Sequence, residues 1–553
     1  MTASDGWEKV EDETVPADVA KMRRHLSEVF SSVKLPCGRT LPNRLVKVSL
    51  YEHLAELGGG PPNLNHLGLY SRWAHGNWGM ILTGNVQVMG DHLDLGRDIV
   101  VPEELTEETV EPFIKLAAAI RQHQSADEPI KTDGRTLAIM QLSHAGGQSP
   151  NFLGGRRPFV PPFAPSAVPL DFRPHEGAGL GLILSNTLSS FMHHVMFLTP
   201  QEMSKRTIDM VVDAFVRGAQ LAARSGFDGI ELHGGHGYLI AEFISLKTNL
   251  RTDEFSATSH PLHFLWRIVS AIRAPGVVPP DFVVGVKLNA ADYIDGSSPA
   301  SAEGTAKSDN TDDEQRVLSH VREIASWKMV DFIEVSGGSY ENPKFVNSSA
   351  SSRRQALFSR FSRRALAELE KDHAKERPLV LLTGGLTTSE LFASALQERH
   401  ADLLGVGRLS ILYPELPRLL KEATSTGEAG FLNTLEHTYL AAGKKPWDVA
   451  PDLRKMPAHT RAERALTGFI SSSWARIPPT VRPQFPKLIG AGVEMAWYNV
   501  VMRNIATGAA DADVGDGLGA TVRMWMYIAP GSSWDWTMWA GLIAVALLIT
   551  YVF

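Results

Sequence analysis

From Asn43 onward, short apolar runs alternate with longer amphipathic stretches. Val46 to Ser49, Gly79 to Asn85 (GMILTGN), Leu137 to Ser143, Asp228 to Leu232, Phe282 to Leu288, Val330 to Val335, Pro378 to Leu382 and Asp402 to Val406 each read as a buried strand. Helical periodicity covers Glu107 to His123, and a further helix runs from Ser204, its N-cap, through Arg224. About eight strand–helix alternations argue for a parallel sheet with helical crossovers. A closed barrel and a doubly wound sheet both satisfy that pattern. Proline-rich sequence from Pro158 to Pro174 is expected as an ordered loop or a surface excursion. The polar stretch Gly296 to Glu314 is too poor in apolar groups to pack and reads as a mobile loop after the fifth strand. Beyond about Lys421 the alternation stops. Residues 426–530 carry helical stretches such as Leu488 to Ile505, which either pack on the preceding domain or lie along a membrane surface.

Charge and composition add limits. Lys and Arg total 54 against 61 Asp and Glu, a formal charge of −7, so no basic face for nucleic acid is indicated. The one cysteine, Cys37, excludes an internal disulfide, fits a reducing compartment and reads as an inert thiol before the turn at Gly38. Residues 1–30 form a charged leader without the apolar run of a signal peptide. Thr537 to Phe553, TMWAGLIAVALLITYVF, carries no charge and has Trp534, Trp536 and Trp539 at its border. As a helix it would span about 26 Å, near the thickness of a thin bilayer. It is expected to be a transmembrane tail anchor, residues 536–553, holding the protein on the cytosolic side of a membrane, the endoplasmic reticulum foremost. A buried C-terminal helix is the alternative. The organisation is thus a leader (1–30), a main domain (31–425), a helical extension (426–535) and the tail.

The chemistry concentrates in Phe227 to Phe255, FDGIELHGGHGYLIAEFISLKTNLRTDEF. Two glycines after His233 stop the strand from running into a helix, so His233, His236 and Tyr238 gather as hydrogen-bond donors at a strand's carboxyl end. This run closely resembles the corresponding segment of old yellow enzyme-like flavin oxidoreductases, the NADH:flavin oxidoreductase/NADH oxidase family, and the resemblance extends over roughly Ser31 to Arg418. It implies an α/β fold, a (β/α)8 TIM barrel with flavin mononucleotide (FMN) at its carboxyl rim and NADPH or NADH as reductant.

The resemblance also assigns roles. Thr383-Gly384-Gly385 and Gly405-Val406-Gly407-Arg408 would hold the phosphate, through close amides and one cation. Gln141 and Lys287 would face the pyrimidine edge, which becomes electron-rich on reduction. Ser49 and Asn85 would meet the flavin through their backbones, and Tyr51 would stand beside a flavin carbonyl. His233 and His236 would polarise a substrate carbonyl while Tyr238 protonates the adjacent carbon. The implied reaction reduces an activated C=C bond, and a membrane location would suit an apolar small-molecule substrate. Oxidative chemistry, such as dehydrogenation or demethylation, is the rival within enzymology, and an idle membrane-tethered scaffold is the rival outside it. A metal on the HxxH pair is disfavoured, because Gly234-Gly235 breaks the helix such a pair needs.

Several positions depart from the family pattern. Lys287 stands where arginine is frequent, which keeps the charge and loses the bidentate geometry. Tyr51 replaces a small residue, Gly147 replaces a frequent arginine, and Ser256-Ala257-Thr258 replaces paired glycines. His53 reads first as a loop residue and second as a substrate contact.

Overall fold

The computed structural model describes residues 26–121, 135–171, 180–289, 310–336, 351–373, 376–426, 476, 493–509, 514 and 517–532. In chain order the strands are β1 (Val33–Lys34), β2 (Thr40–Leu41), β3 (Leu45–Lys47), β4 (Met80–Gln87), β5 (Ile99–Val100), β6 (Leu137–Ser143) and β7 (Phe163–Ala164). They continue as β8 (Gln201–Glu202), β9 (Gly229–Gly234), β10 (Val283–Asn289), β11 (Phe332–Ser336), β12 (Leu379–Thr383) and β13 (Leu403–Val406). Strands β3, β4, β6, β9, β10, β11, β12 and β13 pair in parallel, and β3 bonds to both β13 and β4. That last pairing closes an eight-stranded barrel and excludes the doubly wound sheet.

Alternation along each strand sorts side chains into two cores. Leu137 and Ile139, Leu379 and Leu381, Val46 and Val48 point into the barrel, with Leu35 and Leu41 of the β1–β2 hairpin plugging its amino-terminal end. Ala138, Met140, Val380 and Leu382 point outward against the helices. Strands buried on both faces read as continuous apolar runs, which is why they stood out in the sequence.

Register is pinned at that same end by one repeated device. Asp228, Asp331 and Asp402 each precede a strand, and each carboxylate accepts a backbone N–H of the neighbouring strand: Ala138 at 2.9 Å, Val284 at 2.8 Å and Val380 at 2.8 Å. The three backbone amides return the bond to the same residues' carbonyls. Guanidinium groups pair with these acids, Arg39 and Arg135 on Asp228, Arg273 on Asp331 and Arg377 on Asp402. A slip by one residue would break both bonds and turn each inward side chain outward.

The helix Lys205–Arg224 starts where expected, with the Ser204 hydroxyl accepting from Thr207 N at 3.1 Å. The helix Leu180–Met196, after the proline-rich excursion, was not foreseen. Leu180, Leu184, Leu188, Phe191 and Val195 recur at helical spacing along it, and Ile183 and Phe191 are exposed. Helix Val493–Ala506 packs on helix Leu64–Ala74 and on helix Gly517–Trp525, adding Trp497, Tyr498 and Met502 to the outer core. Gly68 permits that docking, since a Cβ there would sit 2.2 Å from the Ala506 carbonyl oxygen. This part of the extension therefore packs on the barrel.

Asn310 to Glu314, the end of the polar stretch, begin helix Asn310–Ser326, while 296–309 lie outside the described residues. So do residues 1–25 and Thr537 to Phe553. Among the described residues no helix is long and apolar enough to cross a membrane.

Candidate functional site

Toward the carboxyl ends of the strands the inward positions change from apolar to polar. Gln141 follows Leu137 and Ile139 on β6, Glu231 and His233 alternate on β9, Lys287 follows Gly285 on β10, and Glu334 and Ser336 follow Phe332 on β11. Pairing sets Gln141 beside Glu231 and places Lys287 between His233 and Glu334. The side chains link accordingly. Ser49 Oγ donates to Gln141 Oε1 at 2.6 Å, and Gln141 Nε2 donates to Glu231 Oε2 at 2.6 Å. Lys287 Nζ lies 2.9 Å from Glu334 Oε1 in an ion pair without directed hydrogen-bond geometry. Burial and the neighbouring Glu334 charge push the Glu231 carboxyl well above its ordinary range. One lysine thus faces two neighbouring glutamates.

On β4 a bulge between Leu82 and Asn85 inserts one residue. Without it Gly84 would face inward; with it Asn85 does, level with Gln141. Lys47 Nζ holds the Leu82 carbonyl at 3.0 Å on one side, and the Glu52 carboxylate accepts from Gly84 N at 2.9 Å on the other. Asn85 then ties two of the motif's side chains together. Its Nδ2 donates to the Tyr238 oxygen at 3.2 Å, which leaves its Oδ1 to accept from His233 Nδ1 at 3.1 Å. His233 is buried, and burial with the nearby His236 and Lys287 charges holds it neutral, well below the usual imidazole range. With its proton on Nδ1, His233 Nε2 accepts from His236 Nδ1 at 3.1 Å. His236 reaches this position through a left-handed backbone, φ 57°. Tyr238 donates to Asp94 Oδ2 at 2.6 Å and begins helix Leu239–Ile244 as its N-cap.

The other half of the rim lies at β12 and β13. Gly384 and Gly385 have φ of 123° and 75°, a backbone that only glycine adopts without strain, and they leave their amides uncovered by side chains. Arg408 opens the short helix Arg408–Leu412, and its guanidinium is paired with Glu494 of the C-terminal extension. The hydroxyls of Tyr51, Thr383 and Ser336 are buried without a hydrogen-bond partner among the described residues. Unpartnered polar groups at the mouth of a barrel call for a polar ligand. These residues fit FMN: Gly384, Gly385, Gly407 and Arg408 for the phosphate, and Ser49, Gln141 and Lys287 for the ring.

The structure thus brings His233, His236, Tyr238 and Asn85 together, and Ser49, Gln141 and Lys287 beside them. It also adds side-chain roles for Asn85 and Ser49 that were expected to act through their backbones. Glu231, Glu334, Asp94 and Glu494 were not anticipated; of these only Glu231, two residues before His233 on the same strand face, carried a sequence signal. Gly147 donates to both oxygens of buried Glu242, at 3.0 and 3.2 Å, so a carboxyl faces that turn. After Arg251-Thr252-Asp253 the loop is closed by the Arg251–Asp253 ion pair and by Asn249, which donates to the carbonyls of Phe243 and Phe255. His53 is buried and meets Trp525 of the extension edge-on at 5.5 Å, a packing role. No group of side chains suited to a metal ion occurs among the described residues.

Residues 28–426 match the model of the NADH:flavin oxidoreductase / NADH oxidase family. The chain is 35% identical over 405 residues to the NADH-dependent flavin oxidoreductase iliE of Neonectria sp. (strain DH2), covering 72% of this chain and 47% of that one. To the NADH-dependent flavin oxidoreductase iccE of Talaromyces variabilis it is 33% identical over 399 residues, 70% of this chain and 84% of that one. Among solved structures, an old yellow enzyme homologue from Zymomonas mobilis superposes with TM-score 0.51 at 20% identity, over 71% of this chain and 92% of the other, which shows a shared fold. A family match across the whole barrel, with relatives named as NADH-dependent flavin oxidoreductases, settles the affiliation: the chain belongs to the NADH:flavin oxidoreductase / NADH oxidase family and is an NAD(P)H:flavin oxidoreductase with FMN as cofactor.

Proposed function

We propose that this enzyme reduces the electron-poor C=C bond of an enone-type substrate, hydride adding at the β-carbon and a proton at the α-carbon. The observation that carries the reading is the convergence of a phenol and two imidazoles, His233 and Tyr238 both bonded to Asn85, beside the polar Gln141–Glu231–Lys287–Glu334 layer. Bound FMN supplies the hydride, which it receives from NADH or NADPH. A substrate carbonyl oxygen takes the hydrogen that His236 Nδ1 otherwise gives to His233. His233 joins as a second donor in its Nε2–H tautomer, giving up the bond to Asn85. Both bonds strengthen as negative charge gathers on that oxygen, and Tyr238 delivers the proton to carbon. The apolar segment Thr537 to Phe553 supports a place at a cytosol-facing membrane and an apolar substrate. Deleting that segment should release a tagged protein from the membrane fraction, and unchanged membrane association would refute the anchor.

A screen run in both directions tests the reaction. After anaerobic reduction by NADH or NADPH, α,β-unsaturated ketones and aldehydes should restore the oxidised flavin spectrum. If none does, while amines or saturated carbonyl compounds reduce the oxidised enzyme, the reaction runs in the oxidative sense.

A further inference from the structure

Two successive residues of the motif have a left-handed backbone, His236 at φ 57° and Gly237 at φ 75°, and both are held from outside the motif. After β6 the chain makes a single turn of 3-10 helix, Gly146–Gln148, which reaches across to the segment after β9. Gln148 Nε2 donates to the His236 carbonyl at 2.9 Å. Only the NH2 side of the amide can meet a carbonyl, so chemistry fixes the orientation of this side chain. Neighbouring bonds tie the same turn to helix Leu239–Ile244. Leu239 N donates to the His144 carbonyl at 3.0 Å, and Gly147 N donates to the Glu242 carboxyl at 3.0 Å. Gln148 is 3% exposed and packs against Gly237, where a Cβ would come within 2.5 Å of Nε2. Glycine at 237 therefore answers both the backbone angle and the glutamine.

A left-handed backbone is unfavourable for histidine and persists where the surroundings hold it. The angle matters here because it aims the imidazole. His236 Nδ1 lies 3.1 Å from His233 Nε2, with the two rings nearly perpendicular at 89°. An extended backbone at 236 would swing the ring away from His233 and from any carbonyl oxygen that the two imidazoles share. The Gln148 amide is engaged with the His236 backbone, so it acts on the ring through the turn.

On the ene-reductase reading proposed above, we propose that Gln148 is a positioning residue for that reaction. Its bond to the His236 carbonyl holds the left-handed turn and so sets His236 as a donor to the substrate carbonyl. The clamp comes from a different strand end, 88 residues earlier in the chain. Without it His236 takes up other backbone conformations, and the substrate oxygen loses one of its two imidazole donors for as long as it does.

The test uses the full-length holoenzyme, reduced anaerobically with one equivalent of dithionite and mixed in stopped flow with either 2-cyclohexenone or oxygen. Gln148→Met, which keeps the side chain's length and removes the donor, should slow reoxidation by the enone about tenfold. Reoxidation by oxygen, which presents no carbonyl, should be unchanged. Gly237→Ala disturbs the same contact from the other side and should show the same split. His236→Ala should also be slow with the enone, and adding Gln148→Met to it should slow the reaction no further, because both act through one donor. A wild-type enone rate in Gln148→Met, or an effect that multiplies with that of His236→Ala, would overturn the positioning role. Equal slowing toward enone and oxygen would place the effect on the flavin and overturn it as well. A wild-type enone rate in His236→Ala would instead remove the assignment of His236 on which the proposal rests.

Discussion

Replacing Lys47 with methionine should stabilise the protein near pH 7 and destabilise it near pH 10. Lys47 is fully buried on the outer face of β3, 3.8 Å from the centre of the Trp73 ring, with its amine donating to the Leu82 carbonyl at 3.0 Å. Burial lowers its pKa from 10.5 to about 7 against the opposing pull of Glu52. Between those values the unfolded chain holds one proton more than the folded one, so stability rises with pH across the window. Below about pH 7 the full penalty applies, about 5 kcal/mol at about 1.4 kcal/mol per pH unit. Methionine removes it but leaves the Leu82 carbonyl buried without a donor, which costs about 2 kcal/mol. The variant should therefore gain about 3 kcal/mol near pH 7. Near pH 10 the remaining penalty is below about 1 kcal/mol, the lost hydrogen bond dominates, and the two curves cross near about pH 9. Urea midpoints of both proteins across this range read the difference, together with the change in the neighbouring Glu52 that loss of the Lys47 charge brings. A pH-independent difference, or a methionine variant less stable at pH 7, would refute the reasoning. The same carbonyl flanks the bulge that turns Asn85 inward, so this buried lysine holds site geometry at the expense of stability.

Three further outcomes follow from named contacts. Tyr238→Phe should slow reoxidation by an enone about a hundredfold or more while leaving reduction by NADH unchanged, as read by stopped-flow absorbance. Glu494→Gln frees Arg408 from a partly exposed ion pair worth about 1 kcal/mol, so FMN should bind the apoprotein about fivefold tighter in a fluorescence titration. Weaker binding would mean that Glu494 supports the phosphate site. Burial raises the Glu242 carboxyl from 4.5 to about 8, so the folded state keeps a proton that the unfolded state has lost between those values. Stability should fall as pH rises through that window, and thermal melts of Glu242→Gln should lack the fall.

Much of the barrel was legible in the sequence because its strands are buried on both faces. Leu137 to Ser143 was expected and is found as β6, and GMILTGN is contained in Gly79 plus β4. Closure was not local information: it depends on Leu45 to Lys47 meeting Leu404 to Val406, far along the chain, and only the family resemblance supplied it. At the site, the motif from His233 to Tyr238 was readable because several polar groups crowd one strand end. Glu231 and Glu334 were harder, each a single charge inside an apolar run. Asp94 had no local signature at all, since nothing in its own segment says that Tyr238 will fold against it. The same holds for Glu494, which meets Arg408 only because the extension docks on helix Leu64–Ala74.

The most direct measurement is an anaerobic one on the purified full-length protein loaded with FMN. NADH or NADPH is added until the flavin absorbance bleaches, and 2-cyclohexenone is then introduced with oxygen excluded. Recovery of the oxidised spectrum in wild type, and its near absence in Tyr238→Phe, is the result predicted here. A flavin that stays bleached until oxygen is admitted, with enones of every size tried, would contradict the proposed reduction of activated double bonds.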